Sequence, residues 1–382
     1  VEPSIKDDRL YFKNLDVLRF FAAIIVVFAH AYEGWLGWYS KPGFMTTNGD
    51  HKNFSTFGEY LHIGITNGGF GVDIFFLISG FLITYILLKE KERFSKINIP
   101  KFFIRRAFRI WPAYFLVIAL APICVKLVNF AEPTYLPNLL FYNNFHAIAT
   151  KIWEYPFAHL WSICVEEHFY LIWPFIISFI NIKHLGKVFI AFLVISILSR
   201  IYFFTNNYDY LHLYLNTISR IDVLIMGSLY ALYYNKYGFT LQTPKLVRIG
   251  IYLIFIIVYF LYPVYEYNTL INAAFKKYFY CGIIGFAMMN FLFNPTPLFQ
   301  IPFKKLFNYL GKISYGIYLF SNVLIPIIVV KFMYRWGTSN MYVYFMLNFV
   351  LSIGISALVY ELYEKQFLKL KKRFEIVKTR RE

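Results

Sequence analysis

The sequence predicts an all-α protein, a polytopic bundle of about ten transmembrane helices with both termini on the cytoplasmic side. Three observations carry that expectation. Hydrophobic residues make up 59% of the chain and charged residues only 15%, with a mean hydropathy of +0.51, well outside the usual range of soluble domains. Apolar runs of about 17 to 25 residues, enough to cross a hydrocarbon core of about 30 Å, recur along the chain. Lys and Arg also alternate between the connecting segments as the positive-inside rule requires.

In order, the spans fall at 17–35, 69–88, 108–128, 159–180, 187–204, 217–235, 247–264, 276–293, 310–332 and 341–362. With the N-terminus inside, the inner segments hold 26 of the 38 basic residues, among them Lys6, Arg9 and Lys13, the run from Lys89 to Arg106 and the tail from Lys365 to Arg381. The outer segments hold eight: Lys41, Lys52, Lys126, Lys151, Lys276, Lys277, Lys331 and Arg335. The other four, Arg19, Arg109, Arg200 and Arg220, lie within spans. Basic juxtamembrane segments facing anionic headgroups account for the net charge of +17, so membrane lipids are expected partners and nucleic acid is not.

The polar first 16 residues, followed by an apolar run with no small-residue cleavage site, predict a retained first helix rather than a cleaved signal peptide. Cys124, Cys164 and Cys281 all fall in spans and are too few for a disulfide framework; they read as buried apolar residues. The longest outer loop, about 36–68, is rich in Gly, Asn, Thr and His. A second outer segment, 129–158, carries an apolar stretch from Tyr135 to Phe145 that reads as re-entrant or interfacial. With no repeat and no long linker, residues 1–382 read as one domain ending in a short basic tail from about 364.

Charged groups inside the spans carry the functional signal, because each costs roughly 2.5 to 3.5 kcal/mol at the bilayer centre on insertion scales. Arg19 and His30 are eleven residues apart, about three helical turns, so they share a face roughly 16 Å apart. Arg19 reads either as a cavity-lining group or as an anchor paired with Asp16, and His30 as either a reactive or a hydrogen-bonded structural histidine. Asp73 opens the second span beside Gly71, with Ser79 and Gly80 further along, small residues that let helices approach closely. Near His30, Asp73 would be placed to fix its tautomer.

In IRRAFRIWPAYF, Arg105 and Arg106 stand at i−4 and i−3 to Arg109, a guanidinium cluster suited to polyphosphate or to lipid headgroups. In HLWSICVEEHFYLIWP, His159, Ser162 and Glu166 form one polar stripe, with Glu167 turned towards Cys164 and Tyr170. Arg220 and Asp222 are available either as partners for these carboxylates or for each other. In the ninth span Ser314, Tyr318 and Ser321 form a stripe, with Tyr315 and Asn322 beside it; hydroxyls in such helices commonly bond across helices.

Five strings in order, LDVLRFFAAIIVVFAH, GGFGVDIFFLISGFLIT, RRAFRIWPAYF, HLWSICVEEHFYLIWP and LGKISYGIYL, resemble the acyltransferase 3 family of membrane acyltransferases over roughly residues 10 to 365. The resemblance implies transfer of an acyl group, usually acetyl, from cytoplasmic acyl-CoA to a hydroxyl of a carbohydrate or other acceptor, in the cytoplasmic membrane of a bacterium. It implies an Arg and His motif at Arg19 and His30, an RxxR motif at Arg106 and Arg109, and a Trp and Glu motif at Trp161 and Glu166. His168 stands where a glutamine is common, and Ser321 where the ninth helix often carries a histidine.

On this reading Arg19, Arg105, Arg106 and Arg109 hold acetyl-CoA, and His30, Glu166 and Asp73 carry the acid/base chemistry. Trp161, Ser162, Glu167 and Tyr315 are expected to face the acceptor, a cell-envelope polysaccharide or its precursor, and no metal is expected. Some relatives carry a hydrolase-like domain after the bundle, and this sequence ends in its basic tail, implying transfer unaided or with a separate partner. Intramembrane carboxylates and histidines also build proton relays, so a proton-coupled transporter or flippase is the alternative.

Overall fold

The structure, a computed structural model, describes residues 12, 14–39, 56–238, 243–261, 267–294, 296, 298, 300–338 and 340–377, and among these every regular element is helical. Lys6, Arg9, Lys13, Lys41, Lys52, much of the long loop and the end of the tail lie outside the described residues.

The first half comprises α1 (Leu15–Tyr39), α2 (Thr56–Thr66), α3 (Phe70–Phe94), α4 (Ile99–Val128), α5 (Tyr135–Leu139), α6 (Asn143–Thr150), α7 (Trp161–Phe179) and α8 (Ile182–Thr205). The second half comprises α9 (Tyr210–Leu215), α10 (Thr217–Tyr237), α11 (Lys245–Leu261), α12 (Leu270–Phe293), α13 (Lys304–Lys312), α14 (Ser314–Ile328), α15 (Met341–Val359) and α16 (Lys365–Lys372). Two π-helical turns, Val329–Met333 and Tyr360–Glu364, follow α14 and α15.

Polar caps set several boundaries. Asn98 accepts from the Lys101 N–H at the start of α4, Asn181 caps α8, Asn216 caps α10 and Thr269 caps α12, each satisfying a backbone donor that the helix cannot. At the other end of α7, the Lys91 ammonium from α3 donates to the carbonyls of Ile177, Ser178 and Ile180, tying the two helices together.

The spine is the parallel pair α3 and α10. A Cβ on Gly80 would collide with the Leu224 carbonyl, and one on Gly227 with the Leu77 carbonyl, so two glycines bring these backbones together. Thr84 donates to Ser228 at 2.8 Å within the same interface. α1 runs antiparallel to α3, with Gly71 against the Ala22 carbonyl, and at its start lies on Gly311. The close approach expected at Gly71 and Gly80 is present, while Ser79 turns its hydroxyl to Tyr170.

Seven helices among the described residues are long and apolar enough to cross a membrane: Leu15–Trp35, Tyr60–Phe94, Ile99–Val128, Ala158–Phe179, Ile182–Thr205, Ser314–Met333 and Met341–Lys372. The expected spans at 217–235, 247–264 and 276–293 exist as α10, α11 and α12 without joining that group. α10 carries Arg220 and Asp222, α12 carries Lys276, Lys277 and Asn290, and α11 is described over only 17 residues. The apolar stretch from Tyr135 to Phe145 is resolved into α5, a turn and the start of α6.

Candidate active site

α1 is unbroken from Leu15 to Tyr39, so Arg19 and His30 keep the separation of about 16 Å that helical rise gives eleven residues. They mark two levels of one site, a near level where α1 begins and a far level towards its end.

At the near level Arg19 binds Asp16 at 3.0 Å, and its guanidinium is an electrostatic neighbour of Arg109 on α4. Arg106, one turn before Arg109, lies over the rings of Phe102 and Tyr170, 5.8 and 6.0 Å from their centroids. Glu166 of α7 faces the hydroxyls of Tyr170 and Ser79, with Arg106 and Arg19 as its neighbouring cations. Among the described residues no arginine approaches Glu166 within ion-pair distance. Arg19, Arg106 and Glu166 are surrounded by protein yet retain some accessible surface, as groups lining an internal opening do.

Three same-sign guanidiniums held together are costly unless an anion joins them. Nε of Arg106 and Nη1 of Arg109 are buried donors with no hydrogen-bond partner. Those orphaned donors fit the phosphates of an acyl-CoA. Arg105 does not belong with them: it binds Glu90 at 3.1 Å and the Phe374 carbonyl at 3.1 Å, fastening α4 to the tail. Of the four arginines expected at the donor, Arg19 and Arg105 are thus ion-paired within the protein, to Asp16 and Glu90, and Arg106 and Arg109 keep the orphaned donors.

At the far level the Nδ1 of His30 is 3.7 Å from Glu33 Oε2, one turn along α1. His159, in the turn before α7, packs its ring edge-on against Tyr318, with centroids 5.4 Å apart, and is an electrostatic neighbour of His30. Tyr318 donates its hydroxyl to the His159 carbonyl at 2.7 Å and stands 2.7 Å from Ser162 Oγ. Ser162 therefore knits α7 to α14. Glu166 lies seven residues further along α7, about 10 Å of helical rise from His159.

No hydrogen bond or ion pair joins Asp73 to His30. Its Oδ1 accepts from Arg220 Nη2 at 2.7 Å, both side chains being fully buried, and the Arg220 guanidinium sits 5.5, 5.3 and 5.3 Å from the ring centroids of Phe76, Trp161 and Tyr214. Asp222 binds Arg200 at 2.6 Å, and Arg200 also donates to the carbonyls of Ser219 and Ala274. Arg220 and Asp222 therefore pair neither with each other nor with Glu166. Trp161, expected at the acceptor, is a 4% exposed wall of this aromatic cage. The orienting contact expected from Asp73 is absent because a buried arginine claims that carboxylate.

Glu167 accepts weakly from the Trp111 indole N–H at 3.4 Å, and Tyr315 donates to the Ile110 carbonyl at 3.1 Å. His168 meets Thr217 at 2.8 Å, and Ser321 bonds the Tyr318 carbonyl. Two carboxylates escaped the sequence reading. Glu33 lies near the end of the first span, and its i+3 spacing from His30 signals the contact. Glu364, buried in the π-helical turn after α15 with Oε1 beside Gly316 and facing Tyr315, gave no periodic signal because the turn breaks the 3.6-residue register.

Buried cations at one level and two electrostatically neighbouring imidazoles at the other, in a bundle with seven helices long and apolar enough to cross a membrane, fit a multi-pass membrane protein with a polar interior. A family model described as an acyltransferase domain matches residues 12–361, and the chain belongs to the acyltransferase 3 family. It is similar to a Staphylococcus aureus (strain COL) protein named "Putative O-acetyltransferase", 26% identical over 94% of this chain and 58% of the relative. It is also similar to the O-acetyltransferase OatA of Staphylococcus aureus (strain NCTC 8325 / PS 47), 28% identical over 92% of this chain and 56% of that protein. The chain thus spans a little over half the length of these curated relatives. No solved structure matches it.

Proposed function

We propose that this chain is a membrane acyltransferase that takes an acyl group, in the simplest case acetyl, from acyl-CoA and passes it to a hydroxyl of a cell-envelope carbohydrate. The observation that carries the reading is the pair of orphaned guanidinium donors, on Arg106 and Arg109, at one end of a site whose other end holds His30 and His159. Family membership and the O-acetyltransferase relatives support the reaction class.

Arg19, Arg106 and Arg109 hold the coenzyme A phosphates from the cytoplasmic side, and the pantetheine arm extends towards the far level. An extended arm is long enough to bridge the roughly 16 Å between Arg19 and His30. His30 removes the acceptor hydroxyl proton, and Glu33, beside its ring, orients it and stabilises the charged form. Glu166, beside the Tyr170 and Ser79 hydroxyls, completes the near-level wall.

The test is transfer of acetyl-labelled acetyl-CoA into a cell-envelope glycan extract by purified protein in liposomes. Wild type is expected to label the glycan, and His30→Ala to fall at least about 10²-fold, the usual scale for removing a general base. Absence of label and of CoA release with folded wild-type protein would move the assignment to transport.

A further inference from the structure

His159 is 1% exposed, and neither ring nitrogen makes a hydrogen bond. The backbone of Leu319 comes near the ring without reaching hydrogen-bonding geometry. Its position is nevertheless fixed from outside the ring. The His159 carbonyl is gripped by the Tyr318 hydroxyl at 2.7 Å and approached by Ser162 at 3.4 Å, and the ring leans edge-on against Tyr318. A histidine kept for packing would be expected to have its nitrogens satisfied, since a buried polar group left without a partner costs about 1 to 3 kcal/mol. The fold holds this imidazole in place and leaves its polar edge unused, with the candidate base His30 as an electrostatic neighbour.

We propose that His159 is a second catalytic imidazole, the hydrogen-bond donor to the acyl carbonyl oxygen during transfer. The inference rests on the acyltransferase reading above. His30 takes the proton of the acceptor hydroxyl as the hydroxyl oxygen forms a bond to the thioester carbon. The carbonyl π pair moves onto oxygen, where the His159 N–H meets the developing charge. When that pair returns, the carbon–sulfur bond breaks and the departing thiolate takes the proton from His30, leaving ester and free thiol. An imidazole N–H fixed in a buried site is suited to this role, because its donor needs no reorganisation at the moment charge develops. Besides His30, the titratable side chain against the His159 ring is Tyr318 of α14; Glu33 lies beyond His30 on α1 and Glu166 two turns away on α7.

The test compares wild type, His159→Phe, His159→Leu and His159→Gln in the liposome assay, with kcat, KM for acetyl-CoA, the pH profile of kcat and thermal stability in detergent. Phe and Leu remove the donor while filling the pocket with apolar atoms, so stability is expected to hold or rise. In whichever of the two is folded, kcat is expected to fall about 10²- to 10³-fold, with KM for acetyl-CoA within about twofold. His159→Gln keeps an N–H and is expected to recover at least tenfold of that loss, with the shape of the pH profile unchanged because the base is retained. A folded Phe or Leu variant within threefold of wild-type kcat overturns the assignment, as does a Gln variant no better than Leu. If His30→Ala is inactive while His159→Leu is active, only this inference falls. If wild type transfers nothing, the reading beneath it falls as well.

Discussion

Arg106 and Arg109 are the residues for which the sequence and the geometry agree most closely. Their i+3 spacing places them on one face of α4, and the fold leaves a buried donor on each without a partner. Replacing both with alanine is expected to raise KM for acyl-CoA at least tenfold with kcat changed much less, read from initial rates at varied donor; an unchanged KM removes the phosphate-holding role. Arg105 was read alike because spacing alone cannot tell an arginine that waits for a ligand from one that has found Glu90. The same limit explains Asp73. Period and composition put it inside the membrane, but the identity of its partner, 147 residues away on α10, is tertiary information. Asp73→Asn should break the buried pair with Arg220 and lower the thermal stability in detergent. The double variant Asp73→Asn with Arg220→Met should recover part of it.

At the scale of elements, the α3–α10 contact depends on the missing side chains of Gly80 and Gly227. Gly80→Leu is expected to destabilise the fold by at least about 1 to 3 kcal/mol, the usual cost of overpacking, and to separate the two helices that carry Asp73 and Arg220. A matched substitution at Gly250, around which a Cβ meets nothing, should be close to neutral. The connection between α8 and α9 offers a contrast outside the spans. Burial raises the Asp209 carboxyl, but hydrogen bonds from His212 and Lys151 outweigh it and hold the group below its usual 3.8. A lowered carboxylate contributes stability that is full above the unfolded value and is lost as pH falls through the folded one. The stability difference between wild type and Asp209→Asn should therefore shrink on acidification below about pH 5, as the carboxylate is protonated. As the pair is partly exposed, it should not exceed about 1 kcal/mol.

Over the whole molecule, composition and hydropathy were enough to read an all-helical membrane bundle, and seven membrane-crossing helices stand where the sequence placed them. Of the other three, α11 is described over only 17 residues, while α10 and α12 turn polar residues into the bundle, and average hydropathy cannot separate a helix made polar for internal pairing from one that leaves the membrane. The orientation expected from the basic segments predicts residues near 375 on the cytoplasmic side and those near 132 outside. Cysteines introduced at these positions should label with membrane-impermeant reagent in intact cells only at the second. Labelling at both, or the reverse, would overturn the assigned direction of acyl movement.

The Asp73–Arg220 pair also imposes an order on synthesis. α3 leaves the ribosome long before α10, and at about 5 to 20 residues per second the intervening 147 residues take roughly 7 to 30 s to make. Throughout that interval Asp73 belongs to a membrane helix whose counter-charge has not been translated. The nascent chain must therefore keep α3 at the insertion machinery until α10 arrives, so biogenesis rather than final stability is where an early stop between the two helices would first be felt.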